Sequence, residues 1–399
     1  MKINFIYLRS KITNDPRFLD EEKKAFIDAL NVNNDIEFTD KGETFFFIET
    51  GGTEEEFKEI YTEYQDPYYI VATNANNSLP ASLEIASFLS KKKKKFYLIH
   101  GTPKEVHDEI FALKAERIKT KQYPLNKEVS ILKGKRYGVI GKPSNWLISS
   151  DVNYKKAKEK FGLDLIDIEF KEFKEAIDNA KDIVDPIMFK SLLNRKIKKE
   201  TLLGALKIYS ALRDLIKKYE LDGVTVRCFD LLGIYHNTSC LALALLNKDG
   251  YIAACEGDVP ALLTMAIARE GLHKSSFQVN PSYVNVEKKY AYFAHCTLPL
   301  DMCLSYSFDT HFESGLGIGI VGRLNLGKVT IFKVGSSLDE FECYSGKISA
   351  NLHENNLCRT QVKVDFDEDI SSILASPLGN HLLIVIGDHK DEIKSLLKK

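Results

Sequence analysis

The chain has 399 residues, 44% of them hydrophobic and 28% charged, with a formal net charge of −1 at pH 7. That length allows two or three domains, each with its own core. The balanced charge excludes a basic field that would gather nucleic acid or anionic lipid, and no apolar stretch is long enough to span a bilayer.

The first eight residues form a short β-rich run that breaks at Arg9, too short for a secretory segment. Apolar runs then recur at 45–48, 68–72 and 96–99, separated by helical stretches at 20–30, 54–64, 81–89 and 104–118. Strands alternating with helices of this length predict a parallel sheet covered by helices on both faces. Thr53 with Glu56 three residues on, and Thr102-Pro103 before Val106, have the chemistry of helix starts. Lys91 to Lys95 is the one strong charge run and reads as a solvated helix end. A second βα rhythm is expected from about Lys133, with strands at 137–141 and 163–170. A long helix follows from about Glu200, carrying Leu203, Leu206, Ile208, Leu212, Leu215 and Ile216 on one apolar face, ended by Gly223. Val224-Thr225-Val226 opens the next strand.

After Gly271 strand-like runs dominate, at 283–286, 290–296, 317–321, 329–334, 347–349, 360–364 and 382–387, with a closing helix at 390–397. The expected fold is therefore α/β: two doubly wound, Rossmann-like parallel-sheet domains (1–132 and 133–271) followed by a β-rich barrel domain (272–399). The seven cysteines (228, 240, 255, 296, 303, 343 and 358) are odd in number and contain no CxxC, which suits reduced thiols in a cytoplasm. Cys228, Cys255 and Cys296 read as small buried residues.

Two glycine motifs mislead. Gly317 to Gly322 matches GxGxxG, and Gly322 to Lys328 nearly matches a P-loop. Both need a helix to follow, so that its N–H groups face phosphate. Here Val329-Thr330-Ile331-Phe332 follows, so a glycine-rich β-hairpin is expected.

Three stretches carry candidate chemistry. In Arg227-Cys228-Phe229-Asp230 an acid follows directly on a strand, where α/β sheets place ligands. In Cys255-Glu256-Gly257-Asp258-Val259-Pro260 two acids stand at a helix start, which suits a cation site or a helix cap. In Gly379-Asn380-His381 a histidine enters an apolar strand.

Taken in order, these stretches resemble the L-fucose and L-arabinose isomerase superfamily, and in particular its shorter fucose isomerase-related members. The match lies in Cys255-Glu256-Gly257-Asp258-Val259 with Leu262-Leu263-Thr264-Met265, in Gly379-Asn380-His381, in Asn77-Ser78-Leu79-Pro80-Ala81 with Glu84, and in 141–150. The resemblance implies a metal-dependent aldose–ketose isomerase working through an ene-diol on a hexose, pentose or derivative. Asp230, Asp258 and His381 would bind Mn²⁺, or another divalent cation such as Mg²⁺, with Asp230 and Asp258 also moving the proton. Asp230 departs from the family's glutamate by one methylene, and a non-catalytic sugar-binding relative that keeps the pocket is the alternative. Trp146, Glu256, His295, His311, Glu313 and Asn380 fall where the family approaches its sugar. The family also implies a cytoplasmic homo-oligomer, trimer or hexamer, with sites near subunit interfaces. Oxygen-rich ligands suit Mn²⁺ or Mg²⁺, and a cation on adjacent sugar oxygens stabilises an ene-diolate.

Overall fold

The computed structural model describes residues 1–11, 16–113, 122–180, 186–193 and 197–398. A five-stranded parallel sheet comes first, from β1 (Lys2–Leu8), β2 (Glu37–Phe38), β3 (Glu43–Ile48), β4 (Tyr68–Ala72) and β5 (Phe96–His100), in the order β2-β1-β3-β4-β5. Phe45, Phe46 and Phe47 of β3 are all buried, so successive side chains bury on opposite faces, as a doubly covered sheet requires. The helix expected at 104–118 runs Pro103–Ala112; the part of that expectation beyond residue 113 lies outside the described residues. Thr102 closes a capping box with Glu105 at its start.

The two-residue strand β6 (Tyr123–Pro124) precedes a second parallel sheet of β7 (Arg136–Ile140), β8 (Asp164–Ile168), β9 (Gly223–Val226) and β10 (Ile252–Cys255), ordered β10-β9-β7-β8. The helix Lys199–Tyr219 buries Leu206, Ile208, Leu212, Leu215 and Ile216 as expected, but Leu203 faces solvent. Gly223 does not end this helix. Glu220 caps it in the left-handed conformation, and Gly223 opens β9, where a Cβ would sit 2.3 Å from the Ile252 carbonyl oxygen of β10.

The remaining strands are β11 (Ser276–Asn285), β12 (Tyr290–His295), β13 (Ser305–Asp309), β14 (Gly319–Arg323), β15 (Gly327–Val334), β16 (Glu340–Asn351), β17 (Thr360–Phe366) and β18 (Leu382–Ile386). β15, β18, β11, β12, β17 and β16 pair in that order, and β16 pairs back onto β15, so six antiparallel strands close a barrel. Closure removes the free edges an open sheet would leave. The glycine-rich hairpin does not form. β14 pairs with β13 while β15 pairs with β16 and β18, so the strands on either side of Asn325 belong to different sheets. Nor does a helix follow those glycines. β11 begins seven residues before the apolar run that suggested it, because Gln278, Asn280 and Ser282 are buried polar residues that mask the strand.

Two helices join the sheets to the barrel. Ser78–Lys91 packs on β3, β4 and β5 on one side and on β11 on the other, and every residue from Ser78 to Leu89 is buried. Val259–Leu272 lies between β9 and β10 and the barrel strands β11, β15 and β18. A helix apolar all round is what such a sandwiched position demands. The lysine run at the end of the first of these helices is largely exposed, as expected. The Lys91 ammonium donates to the Ser149 carbonyl and the Ser336 hydroxyl. Among the described residues no helix is long and apolar enough to cross a membrane.

Candidate functional site

The N-termini of the two joining helices frame one crevice. β10 ends at Cys255, and the chain then turns through Glu256 (φ 66°) and Gly257 (φ 71°) into the helix capped by Asp258. A Cβ on Gly257 would lie 2.4 Å from the Lys142 carbonyl oxygen, so the turn requires glycine. Glu256, by contrast, holds the left-handed conformation at a cost of roughly 1 kcal/mol or more, which packing must offset. The Ser144 N–H donates to the Glu256 carbonyl at 2.9 Å, and the Gly257 N–H donates to Val226 at 2.9 Å. These bonds pin the turn to the second sheet and leave the Glu256 side chain aimed inward.

Asp258 is fully buried, and both its oxygens are engaged. Oδ1 accepts the Ala261 N–H at 2.7 Å, which is the helix cap. Oδ2 accepts the Nδ1–H of His381 at 2.8 Å. His381 is itself fully buried at the start of β18, and its backbone N–H donates to Asn380 Oδ1 at 2.9 Å. Glu84, from the other joining helix, accepts from the N–H groups of Ser149 at 2.7 Å and Asn380 at 3.3 Å, which fixes the Gly379-Asn380-His381 segment.

Glu256 stands at the centre. Oε2 accepts the Trp146 indole N–H at 2.7 Å. Oε1 lies 3.4 Å from His381 Nε2 and 3.7 Å from His295 Nε2. His381 Nε2 is buried with no hydrogen-bond partner among the described residues. Burial alone would raise the Glu256 carboxyl, but the two imidazoles outweigh it and hold it well below the usual range. Burial likewise disfavours the charged His381 ring, yet Glu256 and Asp258 push it up to about 9. His295 is lowered by burial, and its Nδ1 is 2.9 Å from the Thr297 hydroxyl. Burial also pushes His311 down to about 4 and Glu313 up to about 7, although Glu313 accepts the Asn77 side-chain N–H at 2.8 Å.

Trp146, Glu256, His295, His311 and Glu313 line two adjoining spaces that share Asn77, Phe229, Glu256, Asn280 and Glu313. Trp146 and Asn380 face the first space, and His295 and His311 the second. Trp146 packs edge-on against Phe229, with ring centroids 4.6 Å apart.

Of the expected metal ligands, the structure brings Asp258 and His381 into contact and places Asp230 elsewhere. Asp230 sits in the first turn of the helix Asp230–Tyr235, its side chain 39% exposed, and accepts from Arg227 Nε at 3.0 and 3.1 Å. Among the described residues, the donor atoms that converge within 4.8 Å of one another belong to Cys255, Glu256 and His295. These spacings and the orphaned His381 Nε2 fit a divalent cation beside Glu256, with Asp258 orienting His381 behind it.

Two buried charges were not legible as site residues. Glu54 lines the crevice, its Oε2 has no hydrogen-bond partner among the described residues, and burial holds its carboxyl well above the usual range. In sequence it is one more acid in a helix's first turn. Lys333 is fully buried in β15, and its Nζ has no hydrogen-bond partner among the described residues. Its charge opposes the effect of burial on Glu84, Asp258 and Glu342. The signal available was a lysine within the apolar run 329–334. Lys333→Met keeps the stem and removes the charge, leaving those carboxylates uncompensated. A loss of roughly 3–5 kcal/mol in urea-unfolding free energy is expected, the usual result of breaking a buried charge set. An unchanged midpoint would mean that Lys333 compensates nothing.

No family profile matches the chain. It is 23% identical over 334 residues to the sulfoquinovose isomerases of Priestia aryabhattai and Priestia megaterium, covering 80% of this chain and 73% of each relative. It is 21% identical over 342 residues to the sulfoquinovose isomerase of Alkalicoccus urumqiensis, covering 80% of this chain and 74% of that one. Over four-fifths of its length, the chain is thus similar to sugar isomerases.

Proposed function

We propose that the chain is a divalent-metal-dependent aldose–ketose isomerase acting on a hexose, pentose or derivative. The observation that carries this reading is the Glu256 carboxylate, buried in the crevice between the Trp146 N–H and the His381 and His295 rings, with Asp258 behind His381. The names of the relatives support the reaction class. A bound cation would polarise the sugar carbonyl and stabilise the ene-diolate. Glu256, His295 and Cys255, with His381 alongside, are the residues that would hold it. Glu313, poised by burial near neutrality, is suited to carry the proton between C1 and C2. Asn77 positions Glu313, and Trp146 offers an apolar face to the sugar ring. Asp230 acts at one remove in this reading. It fixes Arg227, whose Nη1 holds the Pro143 carbonyl at 3.0 Å beside the loop bearing Trp146.

The test is a panel of neutral aldoses and sulfoquinovose, assayed for ketose with a divalent cation added. At least one aldose should be converted, with turnover lost on chelation and restored by the ion. If none is converted with any divalent cation, the isomerase reading fails and a sugar-binding protein takes its place.

A further inference from the structure

The wall of the smaller space is rich in sulfur. Of the seven cysteines, Cys228, Cys240, Cys255, Cys296 and Cys358 line it, although they are spread over 131 positions of the chain. Two pairs touch. Cys228 and Cys255 have Sγ atoms 3.2 Å apart, and so do Cys240 and Cys296. The first pair arises from register. β9 and β10 run parallel with Val226 beside Cys255, and the chain leaving β9 brings Cys228 back over the end of β10.

Cys255 therefore sits at the junction of two clusters. Its sulfur touches Cys228 on one side and, on the other, lies within 4.8 Å of both a Glu256 oxygen and a His295 ring nitrogen. An ion bonded to all three would have bonds of about 2.3 Å to sulfur and 2.0–2.2 Å to nitrogen and oxygen. Donors at tetrahedral angles around one such ion stand roughly 3.3–3.7 Å apart, so the three atoms, all within 4.8 Å of one another, would draw together as the ion binds. All three residues are buried, which leaves them few competing partners in water.

Sulfur changes which ion the site prefers. Mn²⁺ and Mg²⁺ favour oxygen, whereas thiolate with imidazole favours Zn²⁺ and similar borderline ions. Three protein ligands with a fourth position open to a cavity is the arrangement of catalytic zinc sites. We propose that the cation beside Glu256 is bound through Cys255 as well as Glu256 and His295, so that the site takes a borderline-soft ion such as Zn²⁺ or Co²⁺ in preference to Mn²⁺ or Mg²⁺. This rests on the reading of Glu256 as a cation ligand. The Cys255 thiol loses its proton to bulk water as the metal–sulfur bond forms, so affinity rises with pH. Cys228 then donates its S–H to the bound thiolate.

The experiment is a Co²⁺ titration of the metal-free full-length chain, followed by absorbance without any sugar. The parent should develop a thiolate-to-cobalt charge-transfer band that saturates at one equivalent, and added Zn²⁺ should abolish it while equimolar Mn²⁺ does not. Cys255→Ser should lose the band, and Cys240→Ser, in the other thiol pair, should keep it. His295→Gln leaves every thiol in place and should weaken binding at least tenfold, which guards against misfolding of the cysteine variant. Absence of the band in the parent, its persistence in Cys255→Ser, or its displacement by Mn²⁺ overturns the proposal. Sugar conversion is scored separately. A band without turnover would sink the isomerase reading alone, and Mn²⁺-supported turnover without a band would sink the thiolate ligand alone.

Discussion

Glu256→Gln is expected to lower kcat for ketose formation by on the order of 10²–10⁴, the usual cost of removing a group that acts directly in such a proton transfer or holds its cation. The substitution keeps the shape of the side chain. The amide oxygen can still accept the Trp146 indole N–H, and the left-handed backbone of the turn is no worse for glutamine. What is lost is the charge facing His381 and His295 across 3.4 and 3.7 Å. The amide nitrogen would now approach those rings as a donor and bind no cation. Metal content and kcat should therefore fall together while the circular dichroism spectrum is retained. A variant that keeps more than about a tenth of the parent's kcat would remove Glu256 from the centre of the mechanism.

Asp258→Asn separates a catalytic role from a structural one. Asparagine caps a helix about as well as aspartate, so the Ala261 N–H keeps its acceptor. The other side-chain atom then presents N–H to His381 Nδ1, where the aspartate presented a carboxylate oxygen at 2.8 Å. A neutral ring must now accept at Nδ1 and carry its proton on Nε2, the nitrogen that faces Glu256. The same exchange in the Ser-His-Asp triad of a serine protease reduces turnover by about 10⁴ with the geometry intact, and a loss approaching that order is expected here. Folding should persist. If Asp258 serves only as a cap, activity should stay within a few-fold of the parent, and that result would detach His381 from the reaction.

How much of this was legible beforehand differs from residue to residue. The alternation of apolar runs and helical stretches predicted parallel sheets followed by a β-rich region, because period and spacing are local properties. The Glu256-Gly257-Asp258 turn and His381 were legible as candidates because acids at a helix start and a histidine entering an apolar strand are local anomalies. Hidden strands such as the first half of β11 were not legible, since the buried polar residues Ser276, Gln278 and Asn280 alternate there with Phe277 and Val279 and break up the apolar run.

The sequence by itself determined which segments become strands and helices, and placed reactive side chains at their ends. It could not decide which of those ends meet. Asp230 and Glu256 both follow strands of the second sheet, but Arg227, three residues before Asp230, captures its carboxylate, while the turn at Gly257 throws Glu256 into the crevice. His295 and His381 reach Glu256 only because β12 and β18 both pair with β11, in a register that sets Ala294 beside Asn280 and Leu382 beside Val279. Lys333 becomes a counter-charge only once β15 is covered by the helix Val259–Leu272. Each of these outcomes depends on strand order, register and helix packing, which are set by burial of apolar surface across long separations in sequence. That is why tertiary structure decided the composition of the site.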